Sequence, residues 1–310
     1  MPIKWIIRLS AIALFAVFIW MTWRWFDKDE WLGDLLLLVK QPQWLMFMFT
    51  VYLLSFALKA EAWRRYVGSN ERLGVFFHGI IYSLLVNHLL PLKVGDIVRA
   101  GFLKKMADKT WDEALHSVTV MRLFDMLTLC FYAGAGILWL GLPSSWIGVA
   151  FLLAAMLLLA VLYKLPAIKK MPILHKHLAY FKATMLSVKG MFIMAAIAVS
   201  WVLEAGVIYG ISSILGLNLG AVPLIWANSM TIAGQVFHIT PGGIGTYEST
   251  LSGSLAFLGI NGREAYGAAI LSHAFKFVFA FGMGAYSLLR MPLGWREASV
   301  WIKERRIAKE

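Results

Sequence analysis

Apolar residues along this chain gather in long runs separated by short basic stretches. The runs are Trp5–Trp23, Trp44–Leu58, Leu73–Leu90, Ala114–Leu140, Trp146–Tyr163, Met191–Leu215, Val222–Thr240, Gly245–Ile260 and Ala265–Leu289. A helix that crosses a bilayer needs about 20 apolar residues, so the pattern predicts an all-α polytopic membrane protein. The first run follows Lys4 and Arg8 and has no small-residue cleavage site, so it reads as a retained span rather than a signal peptide. The stretch from Gly95 to Met106 is too short and too charged to cross, since it carries Asp96, Arg99, Lys104 and Lys105. Leu73–Met106 therefore reads as a hairpin that dips into the membrane and returns. Val222–Ile260 reads the same way. The prediction is six spanning helices and two re-entrant helical hairpins in one integral membrane domain over residues 1–310. Residues 1–140 form a first half with the 73–106 hairpin, and residues 141–310 a second half with the 222–260 hairpin.

Composition strengthens this picture. Hydrophobic residues make up 60% of the 310 and charged residues 15%, with a mean hydropathy of +0.71. Soluble domains are about half apolar and about a quarter charged. A soluble enzyme, a disordered chain and a secreted disulfide scaffold are thereby excluded, and the single Cys130 can form no intrachain bridge. The net charge of +12 is distributed unevenly. With the N-terminus inside, 21 of the 29 Lys and Arg fall on inside segments, four (Arg24, Lys28, Lys40, Arg263) outside, and four within the membrane region. That bias sets both termini in the cytoplasm. Trp20, Trp23, Trp25, Trp44, Trp139, Trp146 and Trp226 then fall at the outer interface, where indole rings collect. The basic stretch Lys164–Lys189 reads as a cytoplasmic loop facing anionic lipid, with no call for nucleic acid as a partner.

The two hairpins share a motif. His88-Leu-Leu-Pro91-Leu-Lys-Val-Gly95 and His238-Ile-Thr-Pro241-Gly-Gly-Ile-Gly245 both fit His-x-x-Pro-x-x-x-Gly, 150 residues apart. Pro and Gly break helices, and broken backbone at membrane depth survives only where it is buried in protein or lines a wet cavity. In the cluster Gly242, Gly243 and Gly245, only one of the adjacent pair need hold a positive φ. An odd number of spans separates the hairpins, so the repeat is expected to be inverted, as in many transporters. Two Pro-kinked helices with a packing role are the plainer alternative.

Ionisable residues inside apolar runs are costly and usually face a pathway. Here they are His88, Asp96, Arg99, Arg122, Asp125, Glu204, His238, Glu248, His273 and Lys276. Arg122 and Asp125 share a helix face and read either as a neutralised pair or as an arginine open to a lipid phosphate. Asp96 fits a helix N-cap, which leaves Arg99 as a cation one turn in. Glu248 fits a dipole-matched acid. Glu204 needs a partner from another helix or a proton. Asp27-Lys-Asp29 matches the acidic pair of many glycosyltransferases, but on an outer loop too short for a sugar-nucleotide domain. No P-loop, metal-ligand spacing or nucleophile motif is present, so no cofactor, no metal and no enzymatic reaction is expected.

Asn87-His-Leu-Leu-Pro91-Leu-Lys-Val-Gly95-Asp96-Ile-Val-Arg99, then Arg122-Leu-Phe-Asp125, then Pro241-Gly-Gly-Ile-Gly245-Thr-Tyr-Glu248 together resemble the lysylphosphatidylglycerol synthase transmembrane family. That family includes the flippase half of the bifunctional lysylphosphatidylglycerol synthetase/flippase, or multiple peptide resistance factor. The resemblance covers nearly the whole sequence. It implies an inner-membrane flippase for a phosphate-containing lipid, either a phospholipid or an isoprenoid-linked one. By position it assigns Asn87, Asp96, Arg99, Arg122, Asp125 and Glu248, with Glu204 added from its place in mid-span, to the headgroup. His88, Pro91, Gly95, His238, Pro241, Gly242, Gly243 and Gly245 are assigned to the hairpin tips. Bifunctional members append an aminoacyl-transferase domain that this sequence does not contain, so lipid synthesis is not expected. Membrane lipids are the expected partners, and a homo-oligomer or a lipid-synthesis enzyme is compatible with the sequence. The alternatives are a non-transporting membrane subunit of a lipid or glycan pathway and a polyprenyl-linked glycosyltransferase.

Overall fold

The computed structural model describes residues 3–90, 94–141, 181, 183–185, 187–235, 240–294 and 296–301, with the backbone alone for 3–11. The expected span Trp146–Tyr163, the tip residues Pro91 and His238, and most of the 164–189 stretch lie outside the described residues. Every element among the described residues is helical. In chain order they are α1 (Ile3–Trp25), α2 (Lys28–Lys40), α3 (Pro42–Val67), α4 (Leu73–Leu89), α5 (Gly95–Ala107), α6 (Trp111–Trp139), α7 (Val188–Ile214), α8 (Ala221–Gly234), α9 (Thr246–Phe257) and α10 (Gly262–Arg290). Helices α3, α6, α7 and α10 are long and apolar enough to cross a membrane. The apolar parts of α1 (Ile12–Trp25) and α4 are shorter.

Local sequence explains the ends. Thr110 caps α6 through a capping box: its hydroxyl accepts from the Glu113 N–H at 3.3 Å, and the Glu113 carboxylate accepts from the Thr110 N–H at 3.0 Å. Helix α2 corrects the expectation of an outer loop. Asp27 accepts from the N–H groups of Asp29 and Glu30, two acids occupy the first turn, and Lys40 closes the last. Those are helix signals at both ends.

The chain divides into two compact units, each assembled from separated segments. The first comprises Met1–Leu54, Leu84–Lys93 and Val202–Ala285; the second comprises Ser55–Ser83, Val94–Trp201 and Tyr286–Glu310. In the first unit α8 and α1 both pack on α9. Gly206 and Gly210, one turn apart on α7, let α3 approach: a Cβ on Gly206 would lie 2.7 Å from Val51 Cγ2, and one on Gly210 2.5 Å from Met48 Cγ. Small residues at that spacing are how helices reach van der Waals contact in lipid, where no hydrophobic drive assists. In the second unit α5 packs on α6. Trp63 is fully buried there, its indole N–H donating to Ser117 Oγ at 3.0 Å.

Candidate functional sites

The second unit holds a cluster of charge around the start of α5. Val94, not Asp96, is the N-cap, and it makes no side-chain cap bond. Asp96 instead receives the Arg122 fork from α6, with Nε to Oδ2 at 3.0 Å and Nη2 to Oδ1 at 2.9 Å. The expected Arg122–Asp125 neighbour pair is looser, at 3.8 Å, because Asp125 Oδ1 accepts the Trp201 indole N–H at 3.0 Å. Lys59 lies 3.5 Å over the Trp201 ring. Arg99 is 5% exposed, and its guanidinium carbon sits 3.9 Å over the face of Trp63. Its Nε is buried without a hydrogen-bond partner, and it forms no ion pair among the described residues. A guanidinium in that setting has a cation–π contact and one unmet donor, its Nε.

The first unit holds the 240–245 break and a second buried network. Helix α8 ends at Gly234, Pro241–Gly243 makes one 3-10 turn, and α9 begins at Thr246. The helical path over residues 222–260 is therefore interrupted. Both members of the Gly242–Gly243 pair hold positive φ, 63° and 81°, and Gly245 holds 85°. The expectation that one of the pair would suffice is corrected. Glu248 is buried and bonds the tip directly, Oε2 accepting the Gly245 N–H at 2.7 Å. Its Oε1 lies 2.7 Å from His273 Nδ1, while His273 Nε2 donates to the Gly242 carbonyl at 3.1 Å. His273 stacks on Tyr247, with ring centroids 4.2 Å apart. One turn along α10, Lys276 donates to Glu204 of α7 at 3.4 Å, with both residues buried. Lys276 also lies 5.0 Å over the Tyr247 ring and 5.6 Å over the Tyr52 ring. Glu204 thus has the partner from another helix that a mid-span carboxylate requires.

The remaining assigned residues lie close by in sequence. Asn87 sits near the end of α4, and the His88 Nδ1–H donates to the Leu84 carbonyl at 2.8 Å, a bond within its own helix. Gly95 opens α5. Asp27, the first acid of the glycosyltransferase alternative, is occupied as the α2 cap and by Arg263 Nη2 at 2.8 Å. Asp27, Glu30, Asp34 and Arg263 line a cavity of about 200 Å³ beside Trp31. Backbone N–H donors hold the Asp27 carboxyl below its usual range, and burial raises that of Asp34.

The two networks share a plan. In each unit an acid in the first turn after the motif glycine is held by a basic side chain of the next long helix. Asp96 meets Arg122, and Glu248 meets His273. Sequence reasoning noticed His273 and Lys276 but gave them no role, and it passed over Trp63, Trp201 and Tyr247. The signal for His273 and Lys276 was their own intramembrane position. The aromatics carried no signal apart from the fold.

The family defined as the lysylphosphatidylglycerol synthase TM region matches residues 6–284. That is most of the chain, and the protein belongs to this family of multi-pass membrane domains. No curated protein matches it.

Proposed function

We propose that the protein is an inner-membrane transporter that moves a phosphate-containing lipid, phospholipid or isoprenoid-linked, between leaflets without covalent chemistry. The observation that carries this reading is Arg99, a buried guanidinium with an unmet donor and no ion pair among the described residues. A buried guanidinium with a donor unmet is unfavourable even with the Asp96 and Asp125 carboxylates in its field, and a phosphate diester matches the two-point donor geometry of a guanidinium. The Arg122–Asp96 fork stands in the same unit, and partial exposure of Arg122 leaves it able to turn toward a headgroup. The family supports a lipid-related role. In the proposed topology six spans carry both termini in the cytoplasm, and the 73–106 and 222–260 segments are re-entrant hairpins. The charge bias and the break at 240–245 support it. Transport has no nucleotide motif to drive it, so it runs downhill or with an ion.

The test is reconstitution of the pure protein in vesicles carrying a headgroup-labelled phosphatidylglycerol, with quencher added outside. The unaltered protein should raise the quenched fraction above that of empty vesicles. Arg99→Lys keeps charge but loses the fork and should slow the rise at unchanged protein recovery. No rise with the unaltered chain, across phosphate lipids, would reject the reading.

A further inference from the structure

His273 is bracketed by two acceptors. Nε2 faces the Gly242 carbonyl, which only accepts, so that nitrogen must carry a proton. Nδ1 faces Glu248 Oε1 at 2.7 Å, and one hydrogen must lie between them. It belongs either to an imidazolium or to a carboxylic acid. In both descriptions the pair holds one proton more than a neutral histidine beside a carboxylate. That proton completes three bonds at one place: Gly242 C=O to His273, His273 to Glu248, and Glu248 to the Gly245 N–H. Two of the three fasten the tip itself.

Removing the proton cannot leave all three in place. If Nε2 keeps its hydrogen, the Nδ1 lone pair faces a carboxylate oxygen and Glu248 must swing away, freeing Gly245. If Nδ1 keeps it, a ring lone pair faces the Gly242 carbonyl and that end comes loose. Charge points the same way. Lys276 and Glu204 already offset one another, so among the described residues loss of the proton leaves Glu248 as a buried carboxylate with no cation of its own. Among the described residues the groups facing the pair are Tyr247 stacked on the imidazole, Lys276 beyond it with Glu204 and Tyr52, Tyr266 near Glu248, and His88 across the Phe277 ring. None of them can supply a second cation to Glu248 without leaving the contact it has.

We propose that His273 and Glu248 form a proton-operated latch on the 240–245 tip, and that H⁺ is the ion coupled to transport. The protonated pair holds the tip closed. Release of one proton to bulk solvent unfastens it, and rebinding resets it. The coupling half of the proposal rests on the transporter reading above, whereas the latch half is read from the tip alone.

The experiment attaches an environment-sensitive fluorophore to Ile244→Cys in a Cys130→Ser background; Ile244 is on the tip and exposed. Emission is followed between about pH 5 and 10, a window that brackets the ordinary histidine value of about 6.5. A reversible shift with pH is expected. In Glu248→Gln the amide N–H donates to Nδ1 and the amide oxygen accepts from Gly245, so all three bonds form without the extra proton. Emission should then stay flat at the low-pH position. His273→Asn removes the imidazole that faces both acceptors and should abolish or displace the parent's shift, which serves if the glutamine variant does not accumulate. A flat profile in the parent, or an unchanged shift in both variants, overturns the latch. In vesicles, an imposed pH gradient should change the transport rate of the parent. Insensitivity of the parent overturns the coupling. A pH-responsive tip with no transport at all would instead remove the transporter reading and leave the latch standing.

Discussion

Substituting alanine at Gly245 and at Gly253 separates a demanded glycine from a tolerated one within a few residues. Gly245 has φ 85° and ψ −45°, outside the regions open to an L residue. Its added Cβ would lie 2.8 Å from Phe15 Cδ2 and 3.3 Å from Phe18 Cβ. A residue held in such a sparsely populated region costs about 1–3 kcal/mol, and overpacking adds about 1–3 kcal/mol. Phe15 is 38% exposed and can yield, so the lower part of the combined range, about 2–4 kcal/mol, is expected. Gly253 lies inside α9 with nothing within 4 Å of an added Cβ. Alanine there gains up to about 1 kcal/mol from helix propensity. Tryptophan fluorescence during heating of the detergent-purified protein is the assay. At about 2–4 °C per kcal/mol for chains of this order of size, Gly245→Ala should lower Tm by about 4–16 °C. Gly253→Ala should leave it level or slightly raised. Equal Tm values would refute the claim that the tip depends on its backbone angles.

Three further outcomes follow from the same geometry. Asp96→Asn and Arg122→Lys, made singly and together, should show a coupling of about 1 kcal/mol in a denaturant double-mutant cycle, modest because the pair is part-exposed; additive effects would mean the fork contributes nothing. Asp27 has a lowered carboxyl pKa because the Glu30 and Asp29 N–H groups bond its charged form, so its support of α2 is complete above the ordinary value of about 3.9 and is lost as pH falls through the folded one. Exchange of the Asp29 and Glu30 amides should quicken on acidification in that window and lose the pH step in Asp27→Asn, and a step that survives would assign it elsewhere. In a Cys130→Ser background, cysteine at Asn261 should react with an impermeant thiol reagent added outside intact cells and cysteine at Ser69 should not; reaction of both would reject the proposed topology.

Long apolar runs made the helices legible. Ala114–Leu140 emerged as Trp111–Trp139, Met191–Leu215 as Val188–Ile214, and Ala265–Leu289 as Gly262–Arg290. Those helices satisfy their backbone internally, so local composition suffices to locate them. The break at 240–245 was legible for the same reason, since Pro and Gly act on their own backbone. Helix α2 was missed because charge along 24–40 suggested a loop, although Asp27 and Lys40 were end signals in plain view. Partners were the least legible part. Arg122 has an acid three residues away but binds one 26 residues away, and Glu204 finds Lys276 across 72 residues. Helical spacing reports neighbours on one helix, whereas these bonds depend on which helices pack. The same limit hid Trp63 beneath Arg99 and Tyr247 beside His273.

The proposed role of Arg99 as the receptor of a lipid phosphate is tested most directly by native mass spectrometry of the protein released from mild detergent. The unaltered chain should carry a phosphate-containing lipid that survives activation in the gas phase. Gly253→Ala should retain it, and Arg99→Gln should lose it at equal yield of folded protein. An unaltered chain that carries no phosphate lipid, or an Arg99→Gln variant that carries as much as the parent, would contradict the account.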